Sequence, residues 1–155
     1  MSLSKNSQKV QAFLDQYGLK LKVQELAQST RTAQDAAEAV GCEIGQIVKS
    51  LIFRSGRTPL LFLVSGKNQL NVKKVGSSLG RTLKKADADF ARAAAGYPIG
   101  GVPPVAHAVR MEIFIDRDLM AYDRVWAAAG TPNAVFEIES KNLPLVTSGR
   151  IIEVN

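Results

Sequence analysis

Lys49 interrupts an otherwise apolar run, Ile47-Val48-Lys49-Ser50-Leu51-Ile52-Phe53. Alternate side chains of an extended strand share a face. Lys49 is therefore expected beside Ile47, Leu51 and Phe53, with Val48, Ser50 and Ile52 on the other face. An ammonium among such neighbours either snorkels to water at the strand end or enters a cleft. In a cleft it would meet a phosphate or a carboxyl-derived group. Further along, Tyr97-Pro98-Ile99-Gly100-Gly101-Val102-Pro103-Pro104-Val105-Ala106 is too rich in glycine and proline for regular structure. Glycine lets the main chain approach a ligand, and proline stiffens the loop. Free N–H groups there could bind a carbonyl oxygen that becomes an oxyanion, whereas Pro103 and Pro104 have no N–H to give. The other reading is a rigid surface turn. The loop matches neither the dinucleotide-binding nor the phosphate-cradling glycine pattern.

The remaining reactive residues exclude more than they suggest. His107, the single histidine, follows the loop, and a lone histidine is more often structural or exposed than catalytic. No serine sits in a nucleophile-elbow context, so no Ser-His-Asp set can be argued. Cys42, the single cysteine, follows Gly41 at a helix end and reads as a small buried thiol rather than a nucleophile. One cysteine permits neither an internal disulfide nor a cysteine-rich metal site. One histidine removes most hydrolytic zinc chemistry. No metal and no cofactor are expected. Lys67, Lys73, Lys74, Arg81, Lys84 and Lys85 lie close together in sequence, as a phosphate-binding rim or as a solvated face.

The elements that must position these residues follow from local pattern. Residues 4–17 read as a helix with Val10, Phe13, Leu14 and Tyr17 on one stripe, stopped by Gly18. Leu19, Leu21 and Val23 alternate with polar residues as in a half-buried strand. Thr32, three before Asp35, begins an alanine-rich helix that ends at Gly41. Strands 47–53 and 60–64 flank a short Gly/Pro turn and form a hairpin. A helix at 71–79, a brief strand at 82–86 and an Asp87-capped helix ending at Gly96 follow. Beyond the loop come a strand at 109–115, a partly helical segment at 118–126 and a turn at 130–133. A strand at 134–138, a short helix or turn at 140–145 and a last strand at 151–154 complete the chain. Such mixing implies an α/β fold, one compact domain over residues 1–155 with helices around a mixed sheet, and not a doubly wound parallel one.

Composition sets the outer bounds. The chain has 155 residues, 46% hydrophobic and 22% charged, enough to bury a sizeable core. A net charge of +6 fits contact with RNA, and fits many proteins that touch none. Aromatic residues, at 6%, are too few for a base-stacking platform. No apolar run approaches the ~20 residues that span a bilayer. Residues 1–9 are polar and unlike a secretory signal, so the expected address is a reducing cytoplasm.

Three stretches, in this order and spacing, resemble the YbaK/prolyl-tRNA-synthetase-associated editing family. They are Thr32-Ala33-Gln34-Asp35-Ala36-Ala37-Glu38-Ala39-Val40-Gly41, Gln46-Ile47-Val48-Lys49-Ser50-Leu51-Ile52-Phe53, and Gly100-Gly101-Val102-Pro103-Pro104. Leu63-Val64-Ser65-Gly66 ahead of Leu70-Asn71 and the late Gly130-Thr131-Pro132-Asn133-Ala134 fit as well, so the likeness covers about residues 5–154. It implies a YbaK-like mixed α/β fold and a trans-acting deacylase that removes wrong amino acids from tRNA, most often tRNA for proline. By the same likeness Lys49 matches the family's lysine. Gly100 and Pro104 are the ends of its Gly-x-x-x-Pro motif, with Gly101 inside. Ser65, Gly66, Val102 and His107 become substrate-pocket candidates.

An aminoacyl ester is already activated, so the implied chemistry needs no protein nucleophile. Loop N–H groups around Gly100 and Gly101 would polarise the carbonyl, and the substrate's own ribose hydroxyl, or a cysteine substrate's thiol, would assist attack. Lys49 would orient the tRNA 3′ end, because an ammonium is a poor base unless its pKa is strongly lowered. The implied partners are aminoacyl-tRNA and a tRNA synthetase that could supply tRNA identity, with no membrane. A tRNA- or synthetase-binding module without turnover, and a small-molecule binder on the same fold, are the other readings.

Overall fold

The computed structural model describes residues 3–155; Met1 and Ser2, the start of the polar N-terminal stretch, lie outside the described residues. The helices are α1 (Lys5–Asp15), α2 (Ala33–Val40), α3 (Val72–Leu79), α4 (Ala88–Ala95) and α5 (Leu143–Thr147). The strands are β1 (Gln24–Glu25), β2 (Ile47–Ser55), β3 (Thr58–Ser65), β4 (Lys84–Lys85), β5 (Glu112–Asp116), β6 (Arg124–Ala128), β7 (Ala134–Glu139) and β8 (Arg150–Ile152). Their order is β1-β7-β6-β2-β3-β5-β8, with β4 added beside β2. The β2–β6, β3–β5 and β5–β8 pairs are parallel and the others antiparallel. This is the expected mixed α/β sheet.

The sheet is built on the hairpin. Its register runs from Val48↔Ser65 to Ser55↔Thr58. Leu60 to Val64 are all 0% exposed, so β3 is covered on both faces, which is why it reads as an unbroken apolar run. Leu61 and Leu63 join Val48, Ile52 and Ile115 and the α1 stripe of Val10 and Leu14. Leu60, Phe62 and Val64 join Phe53, Phe114 and Val75 of α3. The helix starts follow the sequence: Thr32, Asn71 and Asp87 each accept an N–H from three residues on, satisfying donors that a helix leaves unpaired.

Two expectations are corrected. The strand expected from Leu19 to Gln24 is displaced to Gln24–Glu25, paired with β7. The Gln11 side chain donates to the Leu21 carbonyl and accepts the Val23 N–H, each at 2.8 Å. A side chain thus fills the place of a neighbouring strand. The segment at 118–126 is helical only as a 3-10 turn over Arg117–Ala121, and Trp126 belongs to β6. Parallel pairing with Ile47 of β2 outweighs the amphipathic pattern there. Among the described residues no helix is long and apolar enough to cross a membrane.

Candidate active site

Strand β2 is covered unevenly. On the side away from β3 it pairs with β6 over Ile47 and Val48, and with β4 over Phe53 and Arg54. Residues 49–51 between them have ladder partners on the β3 side only. The Ile47 carbonyl accepts the Gly66 N–H on the β3 side, and the Ile52 carbonyl accepts the Ala86 N–H on the other. Alternation then turns the N–H and C=O of Ser50 to the uncovered edge. A cleft of about 720 Å³ occupies this opening. The small side chains of Ala33 and Ala36 on α2 and of Ala88 and Ala91 on α4 line it; larger residues there would fill it. Ile99, Gly100 and Val102 of the glycine-proline loop close it from one side.

Lys49 is half-buried and lines the cleft. Its ammonium donates to the main-chain carbonyl of Asn68, in the turn that follows β3. Burial lowers the Lys49 pKa from the ordinary lysine value, and the Asp116 carboxylate draws it part of the way back. Next to it, the Ser50 hydroxyl is buried and has no hydrogen-bond partner among the described residues. Ser50 was not singled out from the sequence, although it is a second polar interruption of the same apolar strand. An unpaired buried hydroxyl costs about 1–3 kcal/mol. Ser50→Ala is therefore expected to raise stability by about 1 kcal/mol while lowering turnover, as a hydroxyl kept for a ligand would do. Thermal denaturation beside a deacylation assay checks both signs.

The loop is fixed at several points. The buried Tyr97 donates its hydroxyl to the Ala106 carbonyl at 2.7 Å, tying the two ends together. The Gly101 N–H donates to the Pro98 carbonyl at 3.0 Å, and Gly100 has φ +84, so residues 98–101 form a turn that needs a left-handed residue at its third position. The Gly101 carbonyl accepts the Gly130 N–H at 2.9 Å. A Cβ on Gly101 would lie 2.7–2.8 Å from the Thr131 main chain. Gly101 is thus wedged against the 130–133 turn, its N–H already used. The Gly100 and Val102 N–H groups have no acceptor among the described residues, and both residues line the cleft. Pro104 is buried behind them.

The other expected pocket residues lie elsewhere. Ser65 is fully buried and donates its hydroxyl to the Gly45 carbonyl at 2.6 Å. Gly66 packs against Ile44, whose carbonyl would stand 2.2 Å from an added Cβ. His107 Nε2 lies 2.7 Å from the Pro103 carbonyl; a carbonyl only accepts, so this nitrogen carries the proton. Burial pushes the His107 pKa below the ordinary histidine value. None of the three lines the cleft. Cys42 is half-buried rather than buried, and burial with Glu137 and Glu43 nearby raises its thiol pKa, the opposite of what a nucleophile requires.

The basic cluster divides in the fold. Arg81 pairs with Glu112 at 2.7 Å, Lys74 donates to the Asn155 carbonyl at 2.8 Å, and Lys67 lies over the Tyr122 ring. Lys84 and Lys85 form β4, and Lys85 lines the cleft. Arg31, also missed in the sequence, stands at the cleft beside Gly100. No local pattern marks it, because the contact joins α2's leading turn to a distant loop.

Comparison with known proteins shows which family the chain and its fold belong to. The family model described as "Aminoacyl-tRNA editing domain" matches residues 27–144. The chain is 29% identical over 135 residues to the uncharacterized protein YwhH of Bacillus subtilis, covering 86% of each chain. It is 24% identical over 160 residues to EbsC of Enterococcus faecalis, named as a candidate Cys-tRNA(Pro)/Cys-tRNA(Cys) deacylase, covering 99% of this chain and 98% of that one. A solved structure described as a candidate trans-editing enzyme for prolyl tRNA synthetase superposes with a TM-score of 0.93 at 45% identity, over 99% of both chains. The chain belongs to the aminoacyl-tRNA editing domain family.

Proposed function

We propose that this protein is a trans-acting deacylase that hydrolyses the ester of tRNA charged with a small wrong amino acid, tRNA for proline first among them. The observation that carries the reading is the convergence of the Lys49 ammonium and the Gly100 loop on one mostly apolar cleft. The ester carbonyl oxygen would take the Gly100 and Val102 N–H groups, which are the loop's uncommitted donors. Gly101, whose N–H is spent on Pro98, would act by fixing the loop. Water adds to the carbonyl carbon, the ester C–O bond breaks, and the ribose oxygen leaves with a proton. The substrate's neighbouring hydroxyl would hold the attacking water, and Lys49 would hold the terminal nucleotide. The small alanine-lined space suits a short side chain, and each methylene is worth only about 1–3 kcal/mol of discrimination. The names of EbsC and of the prolyl trans-editing structure support the choice of tRNA.

The test is release of amino acid from tRNA for proline carrying cysteine, alanine, serine, threonine or 2-aminobutyrate, with cognate prolyl-tRNA as control. Selective release from one mischarged species, lost in Lys49→Ala, is expected. Binding without release on any tRNA would mark a non-catalytic module. Lys84 and Lys85, exposed and unpaired with any acid among the described residues, are the expected phosphate contacts beside the cleft. Replacing each by Gln should flatten the dependence of log affinity on log salt by about 0.7–0.9 for every phosphate no longer neutralised. Affinity independent of salt would favour a small-molecule binder.

A further inference from the structure

Among the described residues the one buried charged side chain is not part of the cleft lining. Asp116, at the end of β5, is 1% exposed. Its Oδ2 accepts the Ser65 N–H and the Asn68 side-chain amide, each at 2.9 Å. Its Oδ1 accepts the Asp118 N–H at 2.9 Å. The same Asn68 amide donates to Asp118 Oδ2 at 2.8 Å, and the Asn68 N–H closes the turn on the Ser65 carbonyl at 2.9 Å. Within this frame the Asn68 carbonyl is held toward β2, where it takes the Lys49 ammonium. A buried carboxylate costs several kcal/mol unless its oxygens are matched. A tight turn alone does not need one, since serine or asparagine closes turns without a net charge. What the charge adds is a negative potential behind Lys49.

We propose that Asp116 is a positioning residue for Lys49: through the Ser65–Asn68 turn it sets where the ammonium stands and keeps it a cation at the cleft. The inference rests on the deacylase reading for its effect on turnover, but not for its effect on Lys49. Burial works against the charged form of Lys49, and Asp116 opposes burial. The other charged groups near this part of the fold are Asp118 and Lys67 on the turn side and Arg31, Lys85 and Asp87 at the cleft. Among all of these groups, Asp116 alone is at once buried and bonded to the residue that receives the ammonium.

The experiment uses Asp116→Asn and, since a buried change can impair folding, Asn68→Ala as a second variant on the same turn. The first readout is the titration of Lys49 followed by its 13Cε resonance in the full chain. Asp116→Asn is expected to move it to lower pH. The second is a double-mutant cycle on turnover. Each variant should lower turnover by about 10–100-fold in the native background, the range for a displaced positioning group, and by almost nothing in a Lys49→Ala background. An unshifted Lys49 titration in a folded Asp116→Asn protein would overturn the proposal. So would turnover losses equal in both backgrounds, which is what a merely structural turn would give. If no tRNA is deacylated at all, the function reading fails while the titration still decides the role of Asp116.

Discussion

Lys49→Ala is expected to slow release of the wrong amino acid by about 100-fold, the cost of misplacing the terminal nucleotide, with little change in stability. The two halves of the expectation have separate causes. Turnover falls because the cleft loses the ammonium that the Asn68 carbonyl holds in place, and water does not take its place in a fixed direction. Stability holds because Lys49 is a partly desolvated cation whose burial is unfavourable, as its lowered pKa shows. Removing it leaves the Asn68 carbonyl without that donor, but Asp116 keeps its three N–H partners. Lys49→Arg is not expected to restore turnover, since a planar guanidinium cannot occupy the place of a compact ammonium. Single-turnover release and thermal denaturation test the pair.

The pH dependence follows with a definite sign. The folded Lys49 pKa is below the unfolded value near 10.5. The unfolded chain therefore holds the proton to higher pH than the folded one. Stability from this group rises as pH rises between the folded value and 10.5, and that increment should vanish in Lys49→Ala. Turnover has the opposite slope over the same window, because the cation is the working form.

Gly101→Ala is expected to be the most damaging small change in the loop, at about 2–4 kcal/mol and a fall of about 5–15 °C in Tm. The added Cβ would meet the N, Cα and C atoms of Thr131 at 2.7–2.8 Å. Main chain cannot rotate aside as a side chain can, so the loop or the 130–133 turn must move and the Gly101–Gly130 hydrogen bond is broken. Gly100 and Val102 move with it, and turnover falls too. Gly100→Ala is a contrast. Its neighbour at 2.7 Å is Cγ of the exposed Arg31, which can rotate away, while Arg31 Cα and Cβ at 3.2 Å must give by only a few tenths of an ångström. The cost there is chiefly the left-handed backbone at φ +84, about 1–2 kcal/mol. Equal melting temperatures for the two variants would contradict this account.

What could be read from sequence was whatever local chemistry dictates. The β2–β3 hairpin, the caps at Thr32 and Asp87, and the irregular loop all follow from nearest neighbours, and they place Lys49 and Gly100 on elements. Where a side chain points is not set by closeness in sequence. Pro104 ends the loop motif and is buried, and His107, three residues on, turns back onto Pro103. Ser65 ends β3 and Gly66 follows it, and their polar groups serve the turn that holds Asn68 and the start of β2. Ser50 was hidden for another reason. Its hydroxyl matters because β6 and β4 stop short of it, and the lengths of distant strands are not written near residue 50.

The bare stretch of β2 has one more consequence, for how the protein behaves at high concentration. Unpaired strand edges are templates on which another chain can add a strand, and such addition leads to aggregates. Here the template is broken at both ends, by β6 and by β4. Three residues span roughly 10 Å, too short for a foreign strand to find a register and hold it. The sheet can therefore keep main-chain donors and acceptors open at its centre without seeding its own polymerisation, and only a guest about one residue long can reach them.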